Sequence, residues 1–252
     1  MLKNSGLVSI SFRGKCVNEI IRLSAENSLK YIEWGGDVHC PAGDISRARE
    51  LGHLTKNAGL IPFCYGSYYR VGVNPVSEFQ SVCETAKALG ATVIRVWAYN
   101  KSYEACTSEE LCRVISEAKE IFNIAKANDL CINFEYHRST LTQTIDGALR
   151  LFSELDKDIL FVSWQPNPEI TVDEHMRELS LLPRLDIVHT FAWTFENGEN
   201  VRHPLYNHHL TWKDYIKKAK EINPDCIFEL EFFKDDSEEQ MSQDCRTLND
   251  LL

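Results

Sequence analysis

The stretch "INFEYHRSTLT" (132–142) ends an apolar run on Glu135 and His137. Similar interruptions recur downstream: Gln165 closes "ILFVSWQ" (159–165), His189 sits inside "DIVHTFAW" (186–193), and Glu229 and Glu231 interrupt "CIFELEFF" (226–233). A carboxylate buried in such a run is costly unless it is paired, hydrogen-bonded or bound to a metal. Taken singly, each Glu reads as an ion-pair partner and His189 as a hydrogen-bonded core histidine. Taken together, Glu135, Gln165, His189 and Glu231 offer oxygen and imidazole ligands from successive runs to one divalent cation.

These residues need elements that bring them to one height. Short apolar runs also occupy 7–12, 31–34, 60–67 and 92–98, which makes eight in all. Segments of helical period separate them, as in Leu111, Val114, Ile115, Ala118, Phe122 and Ala125. Thr107 with Glu110, Thr171 with Glu174, Ser237 with Gln240 and Thr140 with Gln143 have capping-box spacing, so each predicts a helix start. Eight strand–helix units of about thirty residues each predict a single (β/α)8 TIM barrel over 1–252. A doubly wound open sheet is the competitor, but "SFRGKCVNEI" after the first run lacks its glycine fingerprint.

In a barrel, chemistry sits where the strands end at their C-termini. Alternate side chains face the interior, so Asn133 shares a face with Glu135, and Glu229 with Glu231. The remaining strand-end candidates are Glu33, Asp37, His39, Tyr65, Arg95, Trp97, His137, Asn167 and Trp193. His39, His137 and Arg202 are expected to hydrogen-bond a substrate, and Tyr65, Trp97 and Trp193 to line its site. His203, His208 and His209 read as rim residues of a long loop.

Twenty-seven Lys and Arg against thirty-seven Asp and Glu give a net charge of −10, without a basic cluster, which argues against a nucleic-acid partner. Nine cysteines with no C-x-x-C pair read as reduced core residues, so the expected location is the cytoplasm. No apolar stretch reaches membrane-spanning length and no secretory leader is evident. A homo-oligomer is compatible with all of this.

At "IEWGGDVHCPAGD" (32–44), "VIRVWA" (93–98), "FEYHRSTLTQT" (134–144), "VSWQPNP" (162–168), "IVHTFAW" (187–193) and "FELEFFKDDS" (228–237), the chain resembles the sugar isomerase/epimerase family with a xylose isomerase-like TIM barrel. The resemblance implies a divalent cation (Mn, Mg, Co or Zn) held by Glu135, His189 and Glu231. Its sixth-strand ligand is usually aspartate, where this chain has Gln165, and Pro166, Asn167 and Pro168 replace a histidine often found just after. It further implies a small carbohydrate substrate and a metal-stabilised enediolate, with Glu135 and Glu231 moving the proton beside a carbonyl. Related barrels run eliminations on a keto-inositol or a 3-keto-glycoside, and that alternative stays open. An abasic-site endonuclease, which needs three zinc ions, and a non-catalytic sugar binder fit less well.

Overall fold

The computed structural model describes residues 4–252. Eight parallel strands close a barrel: β1 (Ser5–Val8), β2 (Tyr31–Gly35), β3 (Cys64–Val71), β4 (Val93–Ala98), β5 (Cys131–Glu135), β6 (Leu160–Trp164), β7 (Ile187–Thr190) and β10 (Ile227–Leu230). Between β7 and β10 lies an antiparallel hairpin, β8 (Trp193–Glu196) and β9 (Glu199–Arg202). The helices are α1 (Val17–Glu26), α2 (Ile45–Asn57), α3 (Phe79–Leu89), α4 (Ser108–Ala127), α5 (Ile145–Phe152), α6 (Val172–Leu181), α7 (His209–Ile222) and α8 (Glu238–Leu251). Each follows a barrel strand, which is the expected (β/α)8 architecture.

The two faces of each strand carry different residues. Ile32, Trp34, Ile94, Val96, Ile132, Phe134, Val162, Trp164, Phe228 and Leu230 belong to one continuous core with the helices. On α4 the buried stripe is Val114, Ile115, Ala118, Ile121, Phe122 and Ala125. Inside the barrel the apolar cluster is small, built on Cys64, Val93 and Ile187. Above it the paired registers carry polar residues, with Glu229 level with His189 and Arg95 level with Asn133. The fold therefore rests on the layer between sheet and helices, which frees the upper interior for charged groups.

Capping boxes open α4 at Thr107 and α6 at Thr171, and Ser237 caps α8. Three local expectations change. The first strand stops at Val8, and Ser9–Phe12 forms a 3-10 turn in which the Ser9 hydroxyl accepts from Gly35 N–H. The third strand begins at Cys64, after Pro62. The helix start expected at Thr140 opens only a single 3-10 turn, Leu141–Gln143, without a side-chain cap, and α5 begins at Ile145, capped by Thr144. The hydroxyls of Thr140 and Thr142 donate instead to the carbonyls of His137 and Glu135, tying down the end of β5.

Candidate active site

Arg95 on β4 is the centre of the polar layer. Its Nε donates to Glu33 Oε1 on β2 at 2.7 Å, and its Nη1 donates to Glu135 Oε2 on β5. Trp97, one interior position higher, donates its indole N–H to the same Glu135 oxygen. Gly66 on β3 makes room for this pair, because a Cβ there would lie 2.7 Å from Glu33 Oε1 and 2.8 Å from Arg95 Nη2. Burial alone would raise the pKa of Glu135, but Arg95, then His189, hold it well below the ordinary carboxylate range. Burial likewise disfavours charge on Arg95, and Glu135 and Glu33 override it.

His189 on β7 is fully buried and stands between two sets of carboxylates. Its Nδ1 lies 3.3 Å from Glu135 Oε1 and 3.7 Å from Glu231 Oε2. On its other side Nε2 lies 3.9 Å from Glu229 Oε2. Neither ring nitrogen has a hydrogen-bond partner of good geometry, nor has either oxygen of Glu229. Burial opposes a charge on the imidazole, yet the surrounding Glu135, Glu231 and Glu33 push its pKa up to about 9. Burial pushes Glu231 up to about 7 against the pull of His189, and burial with Glu33 raises Glu229 well above its usual range.

Two neighbouring ligands of a cation with bonds of ~2.0–2.2 Å stand about 3.0–3.5 Å apart. The distances from His189 Nδ1 to Glu135 and Glu231 approach that spacing, and the buried, unpartnered nitrogen is a donor of the right chemistry. Glu33, His189 and Glu229 form a second, deeper set whose ligand atoms lie within 4.8 Å of one another. Gln165 presents its amide nitrogen to Glu135 Oε1 at 3.0 Å and to the Tyr136 carbonyl at 2.6 Å. Two acceptors fix that orientation, so Gln165 orients Glu135, and its carbonyl oxygen is the atom left for a cation.

Over this floor opens a cavity of about 250 Å³ lined by Glu135, Gln165, Glu231, Trp97, His137 and Trp193 among others. Those six are residues that the sequence pattern singled out. His189 lies beneath the floor, and His39, Tyr65 and Arg202 also lie outside the lining. His39 is buried and bonds through Nδ1 to Ser9 Oγ at 3.1 Å. Tyr65 is buried and donates to the Cys40 carbonyl at 2.9 Å, and Arg202 pairs with Asp236 at 2.6 Å. Conversely Tyr68, Phe232, Asn200, Arg13 and Arg138 line the cavity and were not singled out as site residues. Arg95 carried a signal, since its spacing from Trp97 puts both on one face.

A family model described as Xylose isomerase-like TIM barrel matches residues 21–251. The chain belongs to the xylose isomerase-like TIM barrel family. No curated protein matches the sequence. Among solved structures, a probable 3-DHS dehydratase of Bacillus anthracis involved in petrobactin synthesis has a TM-score of 0.81 at 17% identity, covering 98% of each chain. A xylose isomerase-like TIM barrel protein from Mycobacterium smegmatis, in complex with magnesium, has 0.74 at 14% identity, covering 100% of this chain and 98% of that one. The D-allulose 3-epimerase of Methylomonas sp. has 0.74 at 12% identity, covering 99% and 98%. At these identities the likeness is one of fold. The xylose isomerase-like barrel thus includes both epimerases and a dehydratase among its structural neighbours.

Proposed function

We propose that this xylose isomerase-like barrel is a divalent-metal-dependent isomerase or epimerase of a small carbohydrate or carbohydrate derivative. One observation carries the reading: the approach of Glu135 and Glu231 to a single imidazole nitrogen, His189 Nδ1, at the floor of an open cavity. Glu135, His189 and Glu231 would hold the cation, with the Gln165 carbonyl oxygen as a neutral fourth ligand. This oxygen-rich set suits Mg²⁺ or Mn²⁺, and the imidazole also admits Co²⁺ or Zn²⁺. When bound, the cation supplies a Lewis acid that offsets negative charge developing on substrate oxygens.

Charge balance favours a single cation. Glu33, Glu135, Glu229 and Glu231 could carry four negative charges in the barrel interior, where Arg95 supplies one positive. A dication supplies two more, and a proton on Glu229 closes the sum. The deeper set of Glu33, His189 and Glu229 is therefore read as taking that proton.

The two catalytic carboxylates differ in a useful way. Arg95 stands beside Glu135 while Glu231 is buried without a cationic side chain of its own, and we assign both carboxylates to the proton transfer beside the carbonyl. Glu135 ends β5 and Glu231 directly follows β10, three strands apart around the barrel, so they address a bound molecule from different sides. His137, Trp97 and Trp193 would contact the substrate from the lining, whereas His39, Tyr65 and Arg202 would act on it only through the loops they hold. The nine free cysteines suit a reducing cytoplasm.

An elimination on the same floor is the second reading, favoured by His137. Its Nδ1 bonds to the Arg138 carbonyl at 2.7 Å, leaving Nε2 to exchange a proton with a departing hydroxyl. Incubating the Mn²⁺-loaded protein with a panel of ketoses and cyclic hydroxy-ketones in D₂O separates the readings. Isomerisation or epimerisation exchanges a carbon-bound hydrogen without loss of water, and elimination yields an ultraviolet-absorbing conjugated carbonyl. Glu231→Gln should abolish hydrogen exchange, and exchange at the unaltered rate would refute the assignment.

A further inference from the structure

Beneath the floor of the cavity, Glu33 Oε2, His189 Nε2 and both oxygens of Glu229 have no hydrogen-bond partner among the described residues. All three side chains are fully buried. They offer ligand atoms within 4.8 Å of one another, and His189 Nε2 is 3.9 Å from Glu229 Oε2.

The backbone makes room for this cluster. Glu33 on β2 and Glu229 on β10 are separated by β1, whose residue level with Glu229 is Gly6. A Cβ at Gly6 would lie 3.1 Å from Glu229 Cγ, so the missing side chain leaves the carboxyl group its place. Gly66 does the same on β3, between Glu33 and Arg95. Arg95 Nε holds Glu33 through Oε1 at 2.7 Å, and Oε2 is the oxygen left over.

The imidazole decides what the cluster does. A neutral imidazole has one nitrogen lone pair and one N–H. With the Nδ1 lone pair given to a cation shared with Glu135 and Glu231, Nε2 carries the hydrogen. The same count excludes a second cation on Nε2. The hydrogen needs an acceptor, and Glu229, level with His189 in the β7–β10 register, is the one it faces. The separation exceeds a hydrogen bond by about 1 Å, which a small turn of the Glu229 carboxyl group closes. Leaving it open would strand a buried donor beside a buried acceptor, the least favourable state for both. A carboxyl group that keeps a proton, as assigned to Glu229 above, accepts through one oxygen and donates through the other. One side chain then satisfies His189 Nε2–H and Glu33 Oε2 together.

We propose that Glu229 is a positioning residue for the metal centre: it accepts the Nε2–H of His189, ties it to Glu33, and so fixes the imidazole with its Nδ1 lone pair toward Glu135 and Glu231. The inference rests on the metal-site reading and extends it to a side chain that touches neither cation nor substrate. Loss of such a partner costs about 10–100-fold in metal affinity.

Calorimetry of Mn²⁺ binding to the full chain and heteronuclear NMR of its labelled histidines test this. The parent should bind a single equivalent of Mn²⁺, and Glu229→Leu should weaken that binding about tenfold or more. Glu229→Gln keeps an acceptor oxygen for His189 and a donor for Glu33, so its affinity should stay within about threefold of the parent. Should Glu229→Leu not fold, Glu229→Asp, which withdraws the carboxyl group by a methylene, takes its place with the same expected loss. In the Zn²⁺-loaded parent and in Glu229→Gln, His189 should show a hydrogen on Nε2 shifted downfield by its acceptor, and Glu229→Leu should move that signal upfield. Unchanged Mn²⁺ affinity in the folded Leu or Asp variant, a hydrogen on Nδ1 in place of Nε2, or Glu229→Gln binding as weakly as Glu229→Leu overturns the proposal. A second equivalent of Mn²⁺ that Glu229→Leu removes does so too. A parent that binds no divalent cation, while its metal-free His189 still donates Nε2–H to Glu229, would refute the metal-site reading instead and leave the contact standing.

Discussion

Arg95→Met removes the one guanidinium that faces both Glu33 and Glu135. Glu33 is fully buried and Glu135 is 3% exposed, so the variant leaves two carboxylates without their main cationic partner in a medium that solvates them poorly. Breaking a buried ion pair from one side costs about 3–5 kcal/mol. For a chain of 252 residues each kcal/mol moves Tm by about 2–4 °C, so the metal-free variant should melt about 6–20 °C lower. A cation at Glu135 and Glu231 would restore positive charge beside one of the stranded carboxylates. Saturating Mn²⁺, at about 100 times its dissociation constant, adds about 2.7 kcal/mol to a binding-competent fold. The variant should therefore recover part of its loss with Mn²⁺. Circular dichroism melts after chelation and after Mn²⁺ addition measure both quantities. Arg95→Lys, which keeps charge but not the two-sided fork, should fall between. The double variant Arg95→Met with Glu135→Gln should lose less than the sum of its parts. A metal-free Arg95→Met protein melting within about 2 °C of the parent would refute the reasoning.

Three further predictions follow from the same layer and its surroundings. Gly66→Ala drives a methyl group into the Glu33–Arg95 contact, and should lower Tm and weaken Mn²⁺ binding together, read by melting and calorimetry. Gln165→Asp adds a charged ligand and should tighten Mn²⁺ about tenfold or more while destabilising the metal-free fold, because the new carboxylate faces Glu135. Glu178, buried beneath Trp164, has its pKa pushed up to about 7 by desolvation. A buried acid with a raised pKa binds its proton more tightly folded than unfolded, so its contribution is fully present below about pH 4.5 and is lost as pH rises through 7. Glu178→Gln should abolish that loss, stabilising the protein by about 2–4 kcal/mol at pH 8 relative to its effect at pH 4.5, as measured by urea unfolding.

The interior residues were legible in the sequence because period two is strict: once Glu135 and Glu231 end strands, Asn133 and Glu229 must share their faces. His189 was legible for the same reason, as a polar residue in a run otherwise buried. The pairing of Arg95 with Glu33 was not, since it depends on the lateral register of β2, β3 and β4 and on the missing side chain of Gly66. The hairpin left a readable signal, the Asn197-Gly198 turn between alternating segments, and it explains the position of Trp193.

Residues that tie the rim together answer to a different constraint. His39, Tyr65 and Arg202 have the right polarity for substrate contact, but each holds a βα connection in place: His39 to Ser9, Tyr65 to the Cys40 carbonyl, Arg202 to Asp236 and the Phe233 carbonyl. A barrel mouth built from eight independent loops needs such ties, because an open rim leaves backbone groups to be satisfied by side chains. Polar type at a strand end therefore predicts either role equally well. What separates them is the direction of the side chain: Glu135, Trp97 and His189 stand on interior positions of their strands, whereas Tyr65, though paired within β3, belongs to the core shared with the helices, and Arg202 lies on the hairpin outside the barrel.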